Sequence, residues 1–329
     1  MNKLKGVHHV TAITSSAEKI YQFFTYILGL RLVKKTVNQD DINTYHLFFA
    51  DDIGSSGTDV TFFDFQGIDK HEKGNDEISR IGLRVKDNES IEYWIKRLNH
   101  FGVIFENPIN MFGRKTIFFE DFDGQEYALF SDEGLNGVPG GKPWVKGPVP
   151  NEYAIIGLGP ISLRISDLNR INHVLTEFMG MSFISKEGNY NLFEMGLGGN
   201  GASVIVEESE LNRSWQGYGG VHHVAFRIDD KRELDEWIQH LNIIGARHSG
   251  FVDRFYFKSL YTRLYPNILF EFATEGPGFI DDQEDYNILG ETLALPPKFR
   301  GKQEQIEKLV RPINTIRSNL NIEKEYYNE

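Results

Sequence analysis

The sequence predicts an α+β protein of four βαβββ modules. Three observations predict it: a fourfold repeat of strand and helix patterns, a Gly- and Pro-rich stretch between the second and third copies, and globular composition, 40% hydrophobic and 25% charged. The first strand of each copy alternates apolar and polar residues, at 7–13, 81–85, 161–165 and 221–228. A capping group follows each: Ser15 or Ser16, Asp87 or Asn88, Asp167, and Asp229 or Asp230. Such side chains accept from the unpaired N–H groups of a helix start. The helices carry apolar residues at helical spacing: Ile20, Phe23, Phe24, Ile27 and Leu28 in the first copy, and Leu234, Trp237, Ile238 and Leu241 in the fourth. Gly29, Gly102, Gly180 and Gly245 stop them. Three strand-like runs complete each copy, at 31–37, 45–50 and 59–65 in the first and at 246–252, 255–264 and 268–273 in the last.

The expected division is residues 1–133 for a first pair of modules, 134–152 for a linker, 153–275 for a second pair and 276–329 for a C-terminal extension. Within the extension, 303–316 is expected as one helix and the acidic tail as frayed. The net charge of −12, without a dense Lys/Arg run, argues against a nucleic-acid partner. The absence of cysteine excludes disulfides, thiolate metal sites and cysteine nucleophiles, so any metal must be held by His, Asp or Glu. No apolar run approaches a membrane span and the N-terminus lacks a signal-peptide core, so a soluble, cytoplasmic protein is expected. Oligomeric state stays open, a homo-oligomer included.

This arrangement resembles the vicinal-oxygen-chelate superfamily of glyoxalases, bleomycin-resistance proteins and extradiol dioxygenases, over about four fifths of the chain. The resemblance implies that the βαβββ units pair, that the four modules form two paired, curled mixed sheets, and that such a pair makes a cup able to hold a metal. Strand alternation says which residues face that cup. In 221–228, Val224, Phe226 and Ile228 form an apolar face and His223, Ala225 and Arg227 oppose it. The HHV triplet of VHHVTAI aligns with that of VHHVAF, so His9 matches His223. In NILFEFA, Glu271 stands opposite the apolar Ile268, Phe270 and Phe272, and a lone carboxylate there is costly to bury unless paired or metal-bound. Matching the last strands places Phe62, Leu129 and Ile205 at the equivalent of Glu271. Two His and one carboxylate on three strands make the facial triad associated with non-haem Fe(II).

A lone strand histidine is ordinarily a satisfied polar core residue; two HH pairs at equivalent repeat positions outweigh that reading here. His8 and His222 follow the opposite alternation and should point away from the cup. His46 and the other histidines are read as surface or core residues, Phe62, Phe63 and Phe65 as sheet core, and the GLGGNG run at 196–201 as a hairpin turn.

The runs HHVT, YHLFFAD (45–51), GVHHVAF (220–226) and FEFATEGPGF (270–279) give a finer resemblance, to ring-cleaving dioxygenases of the chlorohydroquinone and methylhydroquinone type. It implies Fe(II) on His9, His223 and Glu271, with Mn(II) or another divalent ion as the alternative occupant. It also implies outer residues His8, His222, Arg254 and Tyr261. The substrates would be a small aromatic diol, hydroquinone or catechol-like, and O₂. Arg254 and Tyr261 are seven apart and would lie on opposite faces of one strand, so a bulge or turn must intervene. The alternatives within the superfamily are a glyoxalase-type isomerase or lyase, whose sites usually use four protein ligands, and a small-molecule binding protein without catalysis.

Overall fold

The computed structural model describes residues 4–280 and 283–327. The first unit comprises β1 (Val7–Ile13), a helix α1 (Ala17–Gln22) that continues as a π-helical turn (Phe23–Ile27), β2 (Arg31–Val37), β3 (Tyr45–Ala50) and β4 (Asp59–Phe63). The second comprises β5 (Glu77–Val85), α2 (Asn88–His100), β6 (Ile109–Met111), β7 (Arg114–Glu120) and β8 (Glu126–Ser131). A short strand β9 (Ile155–Leu158) precedes the third unit: β10 (Ile161–Ile165), α3 (Leu168–His173) with its own π-helical turn (Val174–Phe178), β11 (Ser182–Glu187), β12 (Tyr190–Glu194) and β13 (Ser203–Glu208). The fourth comprises β14 (Gly220–Ile228), α4 (Lys231–Ile243), β15 (Val252–Asp253), β16 (Lys258–Leu264) and β17 (Ile268–Thr274).

The helix signals in the sequence act as expected. Ser16, Asp87, Asp167 and Asp230 each accept a backbone N–H from three residues on. Gly102 and Gly245 take φ of +65° and +69° just past α2 and α4, where a side chain would be strained. The apolar stripes are buried: Phe24 packs between Phe49 and Phe62 at 5.0 and 4.9 Å between ring centres, and Trp237 stacks on Phe272 at 4.3 Å. Between β12 and β13, residues 196–201 form a turn, as read.

Each unit orders its strands first, fourth, third, second, which leaves its first strand as an open edge. That edge must pair with another unit. The pairing runs across the chain: β1 meets β14 and β5 meets β10, both antiparallel. The sheets therefore join the first unit to the fourth and the second to the third, rather than each unit to its chain neighbour. The two crossings between sheets, 64–76 and 209–219, run side by side, with bridges between Lys70 and Tyr218 and between Glu72 and Trp215.

The central Gly/Pro-rich stretch packs against both halves; Asp52 N–H bonds Lys142 O and Val138 N–H bonds Gly198 O. The C-terminal extension departs from the expected single helix, because only Gln303–Glu307 is α-helical. Pro312 lacks an N–H and drives Arg311 out of the helical region, so no helix can run to Ile316. The tail beyond is held down. Arg97, fully buried on α2, donates to Glu325 Oε2 at 2.6 Å, to the Tyr327 hydroxyl, and to the carbonyls of Tyr26 and Ile27. This strap ties the second unit to the first.

Candidate metal centre

Three strands of the first sheet bring His9, His223 and Glu271 together. β1 carries His9, β14 carries His223, and β17 lies parallel to β14 with Ala225 opposite Glu271. The His9 Nε2 and His223 Nε2 atoms are 3.2 and 3.0 Å from Glu271 Oε2 and 3.3 Å from each other. All three residues are buried, and among the described residues they form the His/carboxylate group close enough to share one ion. Neither Glu271 oxygen receives a properly oriented hydrogen bond. A fully buried carboxylate without a donor is costly, and a cation between it and two imidazole lone pairs removes that cost. Burial pushes the Glu271 carboxyl up, but the facing imidazoles, His9 foremost, carry it well below the ordinary carboxylate range. The donor set thus fits a divalent ion.

The alternation argument fails at His8 and His222, and the reason is visible. The β1–β14 register slips twice. His8 is the extra residue between the Val7–Phe226 and His9–Ala225 pairs, and His222 is the extra residue between the Thr11–His223 and Ala12–Val221 pairs. A bulge resets alternation, so each first histidine turns toward its neighbour instead of away. His8 Nδ1 lies 2.9 Å from His9 Nδ1, and His222 Nδ1 lies 2.8 Å from His223 Nδ1.

These contacts determine tautomers. His8 Nε2 is 3.1 Å from the Thr274 carbonyl, which can only accept. His8 therefore carries its proton on Nε2, its Nδ1 accepts from His9 Nδ1–H, and the His9 Nε2 lone pair is left facing the centre. Burial, together with His9, lowers the His8 imidazole to about 3, so it stays neutral. His222 repeats the first part of this arrangement. Its Nδ1 orients His223, while its Nε2 has no hydrogen-bond partner among the described residues and the side chain lines the cavity above the centre. Burial and the adjacent His223 bring His222 down to about 3 as well.

Arg254 and Tyr261 meet across the β15–β16 hairpin, whose turn at Phe255 takes φ +72°. The turn supplies the reversal that a single strand would lack. Arg254 Nε donates to the Tyr261 hydroxyl at 3.1 Å, and its Nη2 reaches Asp40 Oδ2 at 2.9 Å. Tyr261 stands opposite Glu271 on the neighbouring strand, with its ring 5.9 Å from that of His223. Burial and then Glu271 raise the Tyr261 phenol, against the pull of Arg254, so it keeps its proton at neutral pH.

The cavity above the centre has a volume of about 290 Å³, the scale of a one-ring molecule. The sequence reading missed part of its wall. Phe63 faces it instead of the core, 4.5 Å from the ring of His46 and 5.5 Å from that of His222. Phe62 does lie in the core, with Phe24 and Phe49. Consequently the equivalent of Glu271 in the first unit is Thr61: Thr11 corresponds to Ala225, and Thr61 is its partner on β4. By the same logic Ala128, not Leu129, is the equivalent in the second unit, and Ile205 stands in the third as expected. His46 also lines the cavity. The signal was present in β3, where His46, Phe48 and Ala50 share the face opposite Tyr45, Leu47 and Phe49. The concave face of the second sheet holds ion pairs instead, with Arg164 bonded to Glu77 and Glu207, both at 3.0 Å.

Residues 6–129 match the family model described as the Glyoxalase/Bleomycin resistance protein/Dioxygenase superfamily. A Bacillus subtilis protein described as "Putative ring-cleaving dioxygenase MhqA" is 40% identical over 94% of this chain and 99% of its own length. The "Chlorohydroquinone/hydroquinone 1,2-dioxygenase" of Sphingobium indicum is 28% identical over 92% of this chain and 95% of its own. Among solved structures, a "putative dioxygenase" from Bacillus subtilis superposes with a TM-score of 0.88 at 31% identity, covering 96% of this chain and 99% of that one. Glyoxalase I from Zea mays shares the fold at 15% identity, with a TM-score of 0.60 over 83% of this chain and 93% of that one.

Proposed function

The chain belongs to the Glyoxalase/Bleomycin resistance protein/Dioxygenase superfamily, and from that premise we propose that it is an Fe(II)-dependent enzyme that cleaves the ring of a hydroquinone or catechol-like diol with O₂. Its curated relatives carry the names of ring-cleaving dioxygenases, one of them for hydroquinones. The observation that carries the reading is the three-donor set: His9, His223 and Glu271, with a hydroxyl, Thr61, where a fourth carboxylate would stand. Three protein donors on one face leave adjacent positions open for a substrate oxygen and O₂. Among the described residues no helix is long and apolar enough to cross a membrane.

His9, His223 and Glu271 would hold the ion, which when bound supplies a positive charge that favours ionisation of a phenolic hydroxyl and a route for ring electrons to O₂. The chain's own residues do the rest. Tyr261 accepts from Arg254 and keeps its own O–H as a donor, and its side chain lines the cavity. His222 presents Nε2–H there, once its Nδ1 accepts from His223. These are two proton donors at the reacting ring, and the Arg254 guanidinium offsets negative charge that develops there. Phe48, Phe63 and Phe257 line the same cavity and exclude water.

The deciding experiment is anaerobic reconstitution with Fe(II), followed by O₂ uptake on a panel of hydroquinones and catechols. Stoichiometric uptake with a ring-opened product is expected. Rapid methylglyoxal–thiol turnover, with no O₂ consumption on any diol, would overturn the reading in favour of glyoxalase-type chemistry.

A further inference from the structure

We propose that Thr36, Asn38 and His46 form a subsite for the second hydroxyl of the diol, the one that lies across the ring from the oxygen at the centre. The proposal rests on the reading of the centre as a site for a phenolic oxygen. It goes beyond that reading by naming the residues that bind the far end of the substrate.

His46 is placed by β3 and fixed by its neighbours. Its ring is held 3.9 Å from that of Phe48 and 4.5 Å from that of Phe63. Its Nε2 is engaged by Thr61 Oγ1 at 2.9 Å. The other nitrogen, Nδ1, has no hydrogen-bond partner among the described residues, and the half-buried side chain lines the cavity. Thr36 stands directly opposite His46 on β2, so the two side chains share the cavity face. Thr36 is 2% exposed, and its Oγ1 has no partner either among the described residues. A buried hydroxyl left without a partner is costly. Asn38 follows at the end of β2. Its Oδ1 accepts the Asp40 N–H at 2.9 Å, and its Nδ2 has no partner among the described residues. All three residues line the one cavity.

Their place relative to the centre decides what they meet. Thr11 Oγ1 lies 3.0 Å from His223 Nε2 and 2.7 Å from Thr61 Oγ1, which in turn touches His46. Two hydroxyl groups therefore separate His46 from His223, an interval on the scale of one ring with an oxygen at each end. Phe63 spans a similar interval along the cavity wall, 4.5 Å from the ring of His46 and 5.5 Å from that of His222. A six-membered ring laid against Phe63, with one oxygen at the centre, presents its opposite edge to His46 and Thr36.

The chemistry of this wall specifies a hydroxyl. Burial, then His9 and His223, hold the His46 imidazole well below its ordinary value, so it is neutral. Thr36 and Asn38 carry no charge. A carboxylate on the ring would find no opposite charge among the three, and an apolar group would leave all three unpaired. A hydroxyl both donates and accepts. It accepts from Asn38 Nδ2–H, and it pairs with Thr36 Oγ1 and with His46 Nδ1 in either tautomer. A second hydroxyl beside the first would stay at the centre and leave the wall unpaired. The subsite therefore reads an oxygen on the opposite edge of the ring.

The test uses the Zn(II)-loaded full chain without O₂, which removes turnover from the measurement. Isothermal titration gives the affinities for hydroquinone and for 4-methylphenol, which carries a methyl group in place of the second hydroxyl. The parent should prefer hydroquinone at least about tenfold. His46→Phe and Thr36→Val should keep the Zn(II) content and cut that preference at least about threefold. Thr36→Ser should keep the preference of the parent. A smaller loss in either His46→Phe or Thr36→Val, with Zn(II) retained, overturns the subsite and leaves the proposed function standing. A parent that binds both phenols without preference does the same. A Zn(II)-loaded parent that binds neither overturns the phenol-binding reading itself, and the subsite with it. If one of the two variants does not fold, the other decides alone.

Discussion

Two adjacent histidine pairs look alike in the sequence, and their surroundings give them different work. His8 has both ring nitrogens occupied, by His9 and by the Thr274 carbonyl, and it is buried. It can orient a ligand but cannot reach a substrate. His222 orients His223 in the same way and keeps Nε2 toward the cavity. Loss of a group that orients a metal-bound histidine typically weakens metal binding about 10–100-fold. Both His8→Ala and His222→Ala should therefore bind metal more weakly, by isothermal titration or by competition with a chelator. The variants should separate at saturating metal. His8→Ala should recover turnover to within a few fold of the parent, whereas His222→Ala should stay down by about 10² or more. Equal recovery in both would reduce His222 to an orienting role.

At the scale of the element, the β15–β16 hairpin assembles the pair that the strand pattern alone could not. Phe255 at φ +72° makes the reversal, and Gln39 Nε2 bonds the Arg254 carbonyl at 2.7 Å, so the loop after β2 holds the hairpin over the centre. Arg254 donates to the Tyr261 hydroxyl, which keeps its own O–H to give, and the Tyr261 side chain lines the cavity. Tyr261→Phe should keep the metal, because no ligand is touched, and lose kcat by about 10² with little change in substrate affinity. Metal analysis and steady-state O₂ uptake check this; kcat within twofold of the parent would return Tyr261 to a packing role. The two bulges are the other decisive elements. Without the two register slips, His8 and His222 would face the helices, and His9 and His223 would lose their Nδ1 partners.

At the scale of the molecule, the centre belongs to neither half of the chain. His9 comes from the first unit and His223 and Glu271 from the fourth, joined through the β1–β14 pair. Arg97 and the C-terminal strap fasten the second unit to the first, and the central Gly/Pro-rich stretch packs between the halves. A fragment ending at residue 133 would expose the free edges of both β1 and β5. We expect that fragment to bind no metal and to aggregate, and the intact chain to bind one ion. Metal analysis after size-exclusion chromatography reads both; a monomeric fragment with one ion per chain would contradict the pairing.

The repeat, the helix faces, the caps and the three candidate ligands were legible in the residues, because period and capping are local and four copies of one unit align with each other. The placement of the ligands carried more than was taken from it: His9 in the first unit and His223 with Glu271 in the fourth can share an ion only if those two units share a sheet. Strand register was not legible, since it belongs to two segments more than 200 residues apart, β1 and β14. Register alone sets the bulges that turn His8 and His222 toward their neighbours, and it puts Thr61, not Phe62, opposite Thr11. A one-residue slip exchanges the two faces of a strand. The sequence by itself therefore determined which residue types could hold the ion, and only the tertiary structure decided which neighbours orient them and which hydroxyls reach them.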